Sequence, residues 1–436
     1  MCRSHISHFK DPISTGDVPV PQTRLIADNA FVRLWISNTA SGLATWALPF
    51  VLGLVIVAGD LSATHAGLAL AARTFGFILA MPIGGVLADR SGPRRMILGA
   101  GLCAAFGIAP IMAGLAGIGG LISILLGAGI AGFGQGACRA SYQAIIPRIV
   151  HPEQRQPANA AMTISIRVST LLGPTISTAA ALQFGTTATL LGIAILWVLA
   201  ALLPTWPPRG QTIAKDPLTL PRFLNELAEG FAEARRHPWF MAGLAALTLV
   251  IAFGYSVTNV LLPQISDSHY GGPKLLAASV TAYTLGALAG AVVISRWRPR
   301  EIGWLALASL ALYGLVPLSL LHPSHIALPL AAFFIAGIGI ELFNVPWFTA
   351  SQREIPAERL ARVTSLDFLF SYGLAPLGLA GLTPLTQALG ITPVLCICAA
   401  ICIGAPVAAM FVPGSRCFSQ PLNSRPALVE PRVDDH

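Results

Sequence analysis

Residues 84–96 read GGVLADRSGPRRM. Asp89, Arg90, Arg94 and Arg95 interrupt two long apolar runs, roughly 66–88 and 95–116. About 20 apolar residues make one membrane-spanning helix, so each run is long enough to cross a bilayer and the charged stretch is the loop of a helical hairpin. Gly85 lacks a Cβ, which lets a second helix approach its backbone. Gly92 permits a tight turn. Asp89 is the one anion among cations, placed where it can cap the positive N-terminus of a neighbouring helix.

The rest of the chain repeats this pattern. Charged residues make up 11% of the 436 residues and hydrophobic ones 54%, against roughly 25% charged in a soluble domain. Mean hydropathy is +0.70. These values exclude a soluble enzyme, a disordered chain and a fibrous one, and leave a polytopic membrane protein. Twelve apolar runs follow: about 31–57, 66–88, 95–116, 121–145, 157–183, 186–203, 239–264, 275–296, 302–321, 326–349, 358–387 and 391–412. They are spans one to twelve. Residues 1–28 hold no apolar stretch of the signal-peptide kind, so span one reads as a retained helix.

The net charge of +8 would suggest nucleic acid in a soluble domain. Here it reports topology. Numbering the connections alternately, twenty-three of the 27 Lys and Arg residues fall on the side of the N-terminal tail. Only Lys274 falls on the other, and Arg73, Arg139 and Arg167 lie inside spans. The positive-inside rule then puts both termini in the cytoplasm of a cell whose inner membrane holds the chain. Trp35, Trp206, Trp239, Trp297, Trp304 and Trp347 sit near the same helix ends, as an interfacial belt would. The seven cysteines lie mostly in apolar runs, without metal-type spacing, and read as small core residues rather than disulfides.

The longest interior polar stretch, 204–238, divides the chain. The expected organisation is a cytoplasmic tail (1–28), a six-helix bundle (29–203), a linker (204–238), a second six-helix bundle (239–412) and a cytoplasmic tail (413–436). Within the linker, Phe223, Leu227, Phe231 and Ala234 recur at helical spacing, with Glu226, Glu229 and Glu233 on the other side. This is an amphipathic surface helix, read as solvated. PRIVHPEQR (147–155) after span four and SQREIPAER (351–359) after span ten place Pro152 with Pro356 and Arg155 with Arg359 at one offset. Gly85 and Gly290 match at nearly the same offset, so the halves look duplicated, as in many secondary transporters. The fold expected is all-α, with 12 transmembrane helices in two pseudo-symmetric bundles.

The skeleton Gly85-x-x-x-Asp89-Arg90-x-Gly92-x-Arg94-Arg95 resembles the loop signature of the major facilitator superfamily. The resemblance implies a latch between the halves, carried here by Asp89, Arg90 and Arg94. An ordinary positive-inside loop would explain the arginines but neither glycine nor the acid. The corresponding loop of the second half, GAVVISRWRPRE (290–301), has Ile294 in place of the acid, so its latch is degenerate. Span five carries Ser169-x-x-x-Gly173-Pro174-x-x-Ser177, similar to the antiporter signature of the family's drug exporters with serines in place of glycines. Gln135-Gly136 in span four is a partial match to a second exporter element. PRIVHPEQRQPANA (147–160) and RRHPW (235–239) resemble the branch that exports siderophores, macrolides and other lipophilic compounds.

Ionisable groups inside spans are functional candidates by default. Glu341 in span ten and Asp367 in span eleven are the proton-coupling candidates, because only carboxylates bind and release a proton there. Glu341 is weighed against a structural ion pair with an arginine, and Asp367 against a structural or gating role. Arg73 and Arg167 read as packing or gating charges that could also attract an anionic substrate. Arg139 either pairs with Asp89 or faces the cavity. The family resemblance implies that spans one, four, seven and ten line a central cavity. Its candidates are Asn38, Thr45, Trp46, Gln135, Arg139, Tyr255, Thr258, Asn259 and Asn344, each weighed against helix packing. No phosphate-binding loop, metal cluster or nucleophile elbow occurs, so no cofactor, metal or enzymatic activity is expected. The reading is a monomeric, proton-coupled exporter of an amphipathic small molecule. The alternatives are a metabolite importer or facilitator, and a non-transporting sensor or assembly partner.

Overall fold

A computed structural model of the chain describes residues 25–57, 61–205, 219–270, 274–321, 325–373, 382 and 384–419. The described residues form helices and no strands. The tails 1–24 and 420–436, the linker segment 206–218 and residues 374–381 of span eleven lie outside them.

Spans one, two, four, five and six are single helices, Asn29–Val57, Ala63–Ser91, Gly120–Ile149, Arg155–Phe184 and Thr186–Leu202. Span three is broken at Gly107 into Pro93–Phe106 and Ile108–Leu115. In the second half, spans eight and ten are Lys274–Arg296 and Ala327–Glu354, and span twelve is Ile391–Met410. Span eleven is described from Leu360 to Gly373. Span seven runs Pro238–Leu249, then through a π-turn over Val250–Tyr255 into Ser256–Tyr270. Nine of the described helical runs are long and apolar enough to cross a membrane, with Thr186–Leu202 a shorter apolar one. The loop 84–96 closes as its glycine requires: Gly92 has φ +89°, and Pro93 opens the next helix at its first position.

Each half is built on a backbone-to-backbone crossing at glycine. A Cβ on Gly132 would stand 1.9 Å from the Arg73 carbonyl oxygen, and one on Gly136 2.1 Å from that of Phe77, which locks span four onto span two. Gly337 stands in the same relation to Tyr283 (2.1 Å) and Gly286 to Phe334 (2.0 Å), locking span ten onto span eight. Arg73 and Tyr283 therefore occupy equivalent places in the two halves.

Three expectations change. Trp239 and Trp347 are not interfacial; both are fully buried with Phe240, Phe343 and Phe418, and the Phe240 and Trp347 rings stack at 4.7 Å. Trp35, Trp297 and Trp304 are well exposed, while Trp206 lies outside the described residues. The linker helix, Leu220–Arg235, turns two of its acids inward: Glu226 and Glu233 are buried, while Glu229, Leu224 and Phe231 are exposed. The acids turn in because arginines of both halves wait there, as described below. Cys417 is disulfide-bonded, whereas Cys103, Cys138, Cys396, Cys398 and Cys402 are free. It follows span twelve, outside the apolar runs that argued for reduced core thiols.

Candidate functional site

The halves meet on the side of the linker helix. Asp89, at the end of span two, accepts from the backbone N–H groups of Ala361 (3.1 Å) and Arg362 (3.2 Å), the first turn of span eleven. The same carboxylate takes the Arg362 guanidinium at 2.9 Å, both side chains being almost wholly buried. A carboxylate here satisfies orphan N–H groups and the positive helix end at once. Gly85 makes room: a Cβ there would stand 2.2 Å from Ser365 Oγ. Arg90 reaches Glu226 of the linker helix at 2.5 Å. Arg94 caps span six, donating to the carbonyls of Pro204 (2.5 Å), Ala201 (2.9 Å) and Leu202 (3.1 Å). Arg95 is exposed.

Acids of the linker helix take cations from both halves. Glu226 binds Arg90, Glu229 binds Arg362 at 3.0 Å and Glu233 binds Arg359 at 2.5 Å. The helix is thus a clip across the closure.

The second-half loop reaches the same result without an acid. Gln156, at the start of span five, donates to the carbonyls of Ile294 (2.5 Å) and Trp297 (2.8 Å), where span eight ends. Helix-end carbonyls do what Asp89 does in the first half. Arg155 donates to the Gln352 carbonyl at 2.9 Å, and Asn159 to Gln352 (2.9 Å) and Thr349 (3.0 Å). Sequence reasoning did not single out Arg362, Gln156, Asn159 or Gln352. Arg362 was counted only as a loop cation, and the amides carry no charge to draw notice.

Deeper between the halves lies one ion pair. Arg167 of span five meets Glu341 of span ten at 2.6 Å. Glu341 is wholly buried, and no second cation among the described residues pairs with it. The Arg167 guanidinium also lies 5.6 Å from the centre of the Tyr283 ring. Asn344 stands one turn from Glu341 on the same helix. Asp367 is buried too, but its partners are neutral: the Trp347 indole N–H at 3.3 Å and the Ser371 hydroxyl at 3.4 Å.

The first-half wall gathers five of the nine cavity candidates. Asn38, Thr45, Trp46, Gln135 and Arg139 line one recess between spans one, four and five. Asn38 is spent on packing, donating to Met162 O (3.1 Å) and Ser165 Oγ (2.6 Å) of span five. Arg139 does not pair with Asp89, whose cation is Arg362. Arg73 comes to the rim of the recess, donating to Gln135 Oε1 (2.7 Å) and the Thr45 carbonyl (3.1 Å). On the opposite wall, Tyr255 is 45% exposed and Thr258 reaches the Tyr313 hydroxyl at 3.4 Å. The side chain of Asn259 lies outside the described residues. Tyr372, 50% exposed, lies in the field of Arg139, Arg167, Glu341 and Asp367 together.

The small residues of span five face span one. Ser169 donates to the Thr39 carbonyl at 3.2 Å, and Gly173 leaves 3.1 Å for the Trp46 Cβ. The Ser177 hydroxyl turns back to the Pro174 carbonyl at 3.0 Å.

Comparison with known proteins gives the same architecture. The family model described as Major Facilitator Superfamily matches residues 34–379. No curated relative matches the sequence. Among solved structures, a bacterial homologue of the iron transporter ferroportin, in its outward-facing state, superposes with a TM-score of 0.69 at 16% identity, over 89% of this chain and 98% of that one. The fucose:proton symporter of E. coli gives 0.67 at 15% identity, over 90% and 98%. The human organic anion transporter MFSD10 gives 0.64 at 14% identity, over 89% and 100%.

Proposed function

As the chain belongs to the major facilitator superfamily and is a transporter rather than an enzyme, we propose that it is a proton-coupled exporter of an amphipathic small molecule, working by alternating access. The observation that carries this is the Arg167–Glu341 pair, a buried carboxylate whose cation, among the described residues, comes from the other half. Protonating Glu341 removes its charge and frees Arg167, so proton binding and the tie between the halves become one event. Breaking such a pair while both groups stay buried is expensive, which favours a change of arrangement on protonation.

The linker side is taken as cytoplasmic, because the cations gather there. The closure through Asp89, Gln156 and the linker helix then seals the cavity from the cytoplasm. Proton entry is from the outside, and substrate leaves to the outside. Aromatic and amide groups on both walls suit a lipophilic compound with a polar end. The packing of small span-five residues on span one agrees with an exporter, in line with the exporter-like motif there. The chain works as a monomer in a bacterial inner membrane, each half supplying one wall.

The test is transport in vesicles containing the purified chain under an imposed proton gradient, with fluorescent lipophilic dyes of each charge type. Wild type moves a dye against its gradient while protons run down theirs, and Glu341→Gln loses this coupling. Coupled export intact in Glu341→Gln would overturn the assignment.

A further inference from the structure

The recess in the first half gathers donors, and no carboxylate is among its described lining residues. Four groups carry the observation: Arg73, Arg139, Gln135 and Trp46. Gln135 is 97% buried, being 3% exposed. Its Oε1 accepts from Arg73, which fixes the amide with Nε2 as the donor, and that Nε2 has no partner. The Trp46 indole N–H and the Arg73 Nε–H are also buried without partners. Arg139 makes no hydrogen bond or ion pair with any described residue. The two guanidiniums lie in one another's field. Gln135 Oε1 and the Thr45 carbonyl go to Arg73, the Thr45 hydroxyl turns to the Ser41 carbonyl at 2.7 Å, and the remaining acceptors on the wall, on Asn38, Ser41 and Tyr142, are neutral. No carboxylate lines the recess, and Glu341 is committed to Arg167.

Buried donors left unpaired are costly, and two neighbouring cations inside a membrane protein are more so. A fold that sets these three unpaired donors and the Arg139 cation in and beside one recess is arranged to receive acceptor oxygen atoms carrying negative charge. The walls beside them are the Trp46 ring, Ile166 and Cys138, and the recess holds about 10 Å³ of open space. That is room for about one water-sized oxygen, so a ligand places only the tip of its polar end there.

We infer that Arg73, Arg139, Gln135 and Trp46 form a subsite for the carboxylate end of an amphipathic substrate, whose apolar body lies out in the cavity. This rests on the transporter reading above and narrows its substrate to organic anions. Guanidiniums bind carboxylate oxygens through paired N–H groups, and Gln135 Nε2 and the indole N–H supply neutral donors to the same oxygens.

The test is equilibrium binding to the purified full chain in detergent, with no proton gradient, so its outcome is separate from that of the Glu341 experiment. The probes are 1-naphthoate, its neutral isostere 1-naphthamide, 1-naphthylmethylammonium and acetate. Wild type prefers 1-naphthoate to 1-naphthamide by about tenfold or more, the worth of one charge-assisted hydrogen bond. The ammonium binds least, and acetate competes weakly because it lacks the apolar body. Arg139→Gln touches no described partner, folds as wild type does, and loses most of the preference, while Arg139→Lys keeps part of it. Any of four results would overturn the inference: equal or tighter binding of the amide or ammonium, acetate competing as well as 1-naphthoate, a preference unchanged in Arg139→Gln, or no binding of 1-naphthoate at millimolar concentration.

Discussion

Replacing Asp89 with Asn removes the charge that holds span two to span eleven. The carboxylate accepts from the Arg362 guanidinium and from two backbone N–H groups, with 1% of its side chain exposed. A hydrogen bond between charged groups contributes about 1.5–3 kcal/mol, and an anion at a helix N-terminus about 0.3–1 kcal/mol. When the halves part on this side, Asp89 meets water and the substitution costs little. The difference, about 2–4 kcal/mol, falls almost wholly on the closed arrangement. The population open on the linker side then rises by roughly thirty- to several-hundredfold. Ala160 reports it: it is fully buried, packed against Ile294, Leu342 and Val345 across the closure. Ala160→Cys, placed in a chain whose free cysteines are replaced, is labelled by a membrane-impermeant thiol reagent only when the halves part. Asp89→Asn accelerates that labelling by the stated factor. Arg95→Gln, an exposed loop neighbour, leaves it unchanged. A labelling rate equal to wild type in Asp89→Asn would refute the latch.

Gly132→Ala pushes a Cβ into the Arg73 backbone carbonyl at 1.9 Å, and overpacking costs about 1–3 kcal/mol or more. Thermal unfolding in detergent falls, whereas Gly53→Ala, which meets nothing within 4 Å, holds. Arg94→Ala strips three carbonyls at the end of span six of their donor, lowering stability by about 2–4 kcal/mol in the same assay. Arg94→Lys does not restore it, because an ammonium cannot span three acceptors.

What the sequence made legible were features with a period or a sign. The runs of apolar residues gave the helices, the arginine bias gave the sides, and Gly85, Asp89 and Gly92 marked the closure. What it hid were pairings over distance. Nothing near Asp89 names Arg362, 273 positions away, and nothing near Glu341 names Arg167. Symmetry misled as well: the second-half loop lacks the acid, yet Gln156 and the carbonyls of span eight hold the same junction. The linker helix shows why amphipathic pattern alone does not fix which face turns inward. Glu226 and Glu233 turn in because Arg90 and Arg359 are there to meet them. Trp239 and Trp347 looked interfacial by position but are held in an aromatic core that the tail residue Phe418 completes.

The in-span charges divide by half. Arg73, Arg139 and Arg167 belong to the first, Glu341 and Asp367 to the second. Arg167 is shared with Glu341, which leaves Arg73 and Arg139 for an anion. A substrate anion in the recess and the Glu341 carboxylate then repel across the cavity, since Arg139 and Glu341 both act electrostatically on Tyr372. Two unit charges about 10 Å apart at an effective dielectric constant of about 20 repel by about 1–2 kcal/mol, which sets the scale. Making Glu341 neutral removes it and releases Arg167 as a third cation. The charges alone therefore favour binding of anion and proton together, each raising the affinity of the other; the exchange proposed above needs the opposite linkage, so this measurement also decides between export by exchange and co-transport. Glu341→Gln, standing for the protonated carboxyl, is expected to bind 1-naphthoate several-fold to about tenfold tighter than wild type, while losing coupled transport. With 1-naphthamide the two proteins should bind equally, because a neutral ligand feels neither charge. If 1-naphthoate binds more weakly to Glu341→Gln, the carboxylate supports the anion instead of opposing it. The recess and the ion pair would then not be coupled in the manner argued.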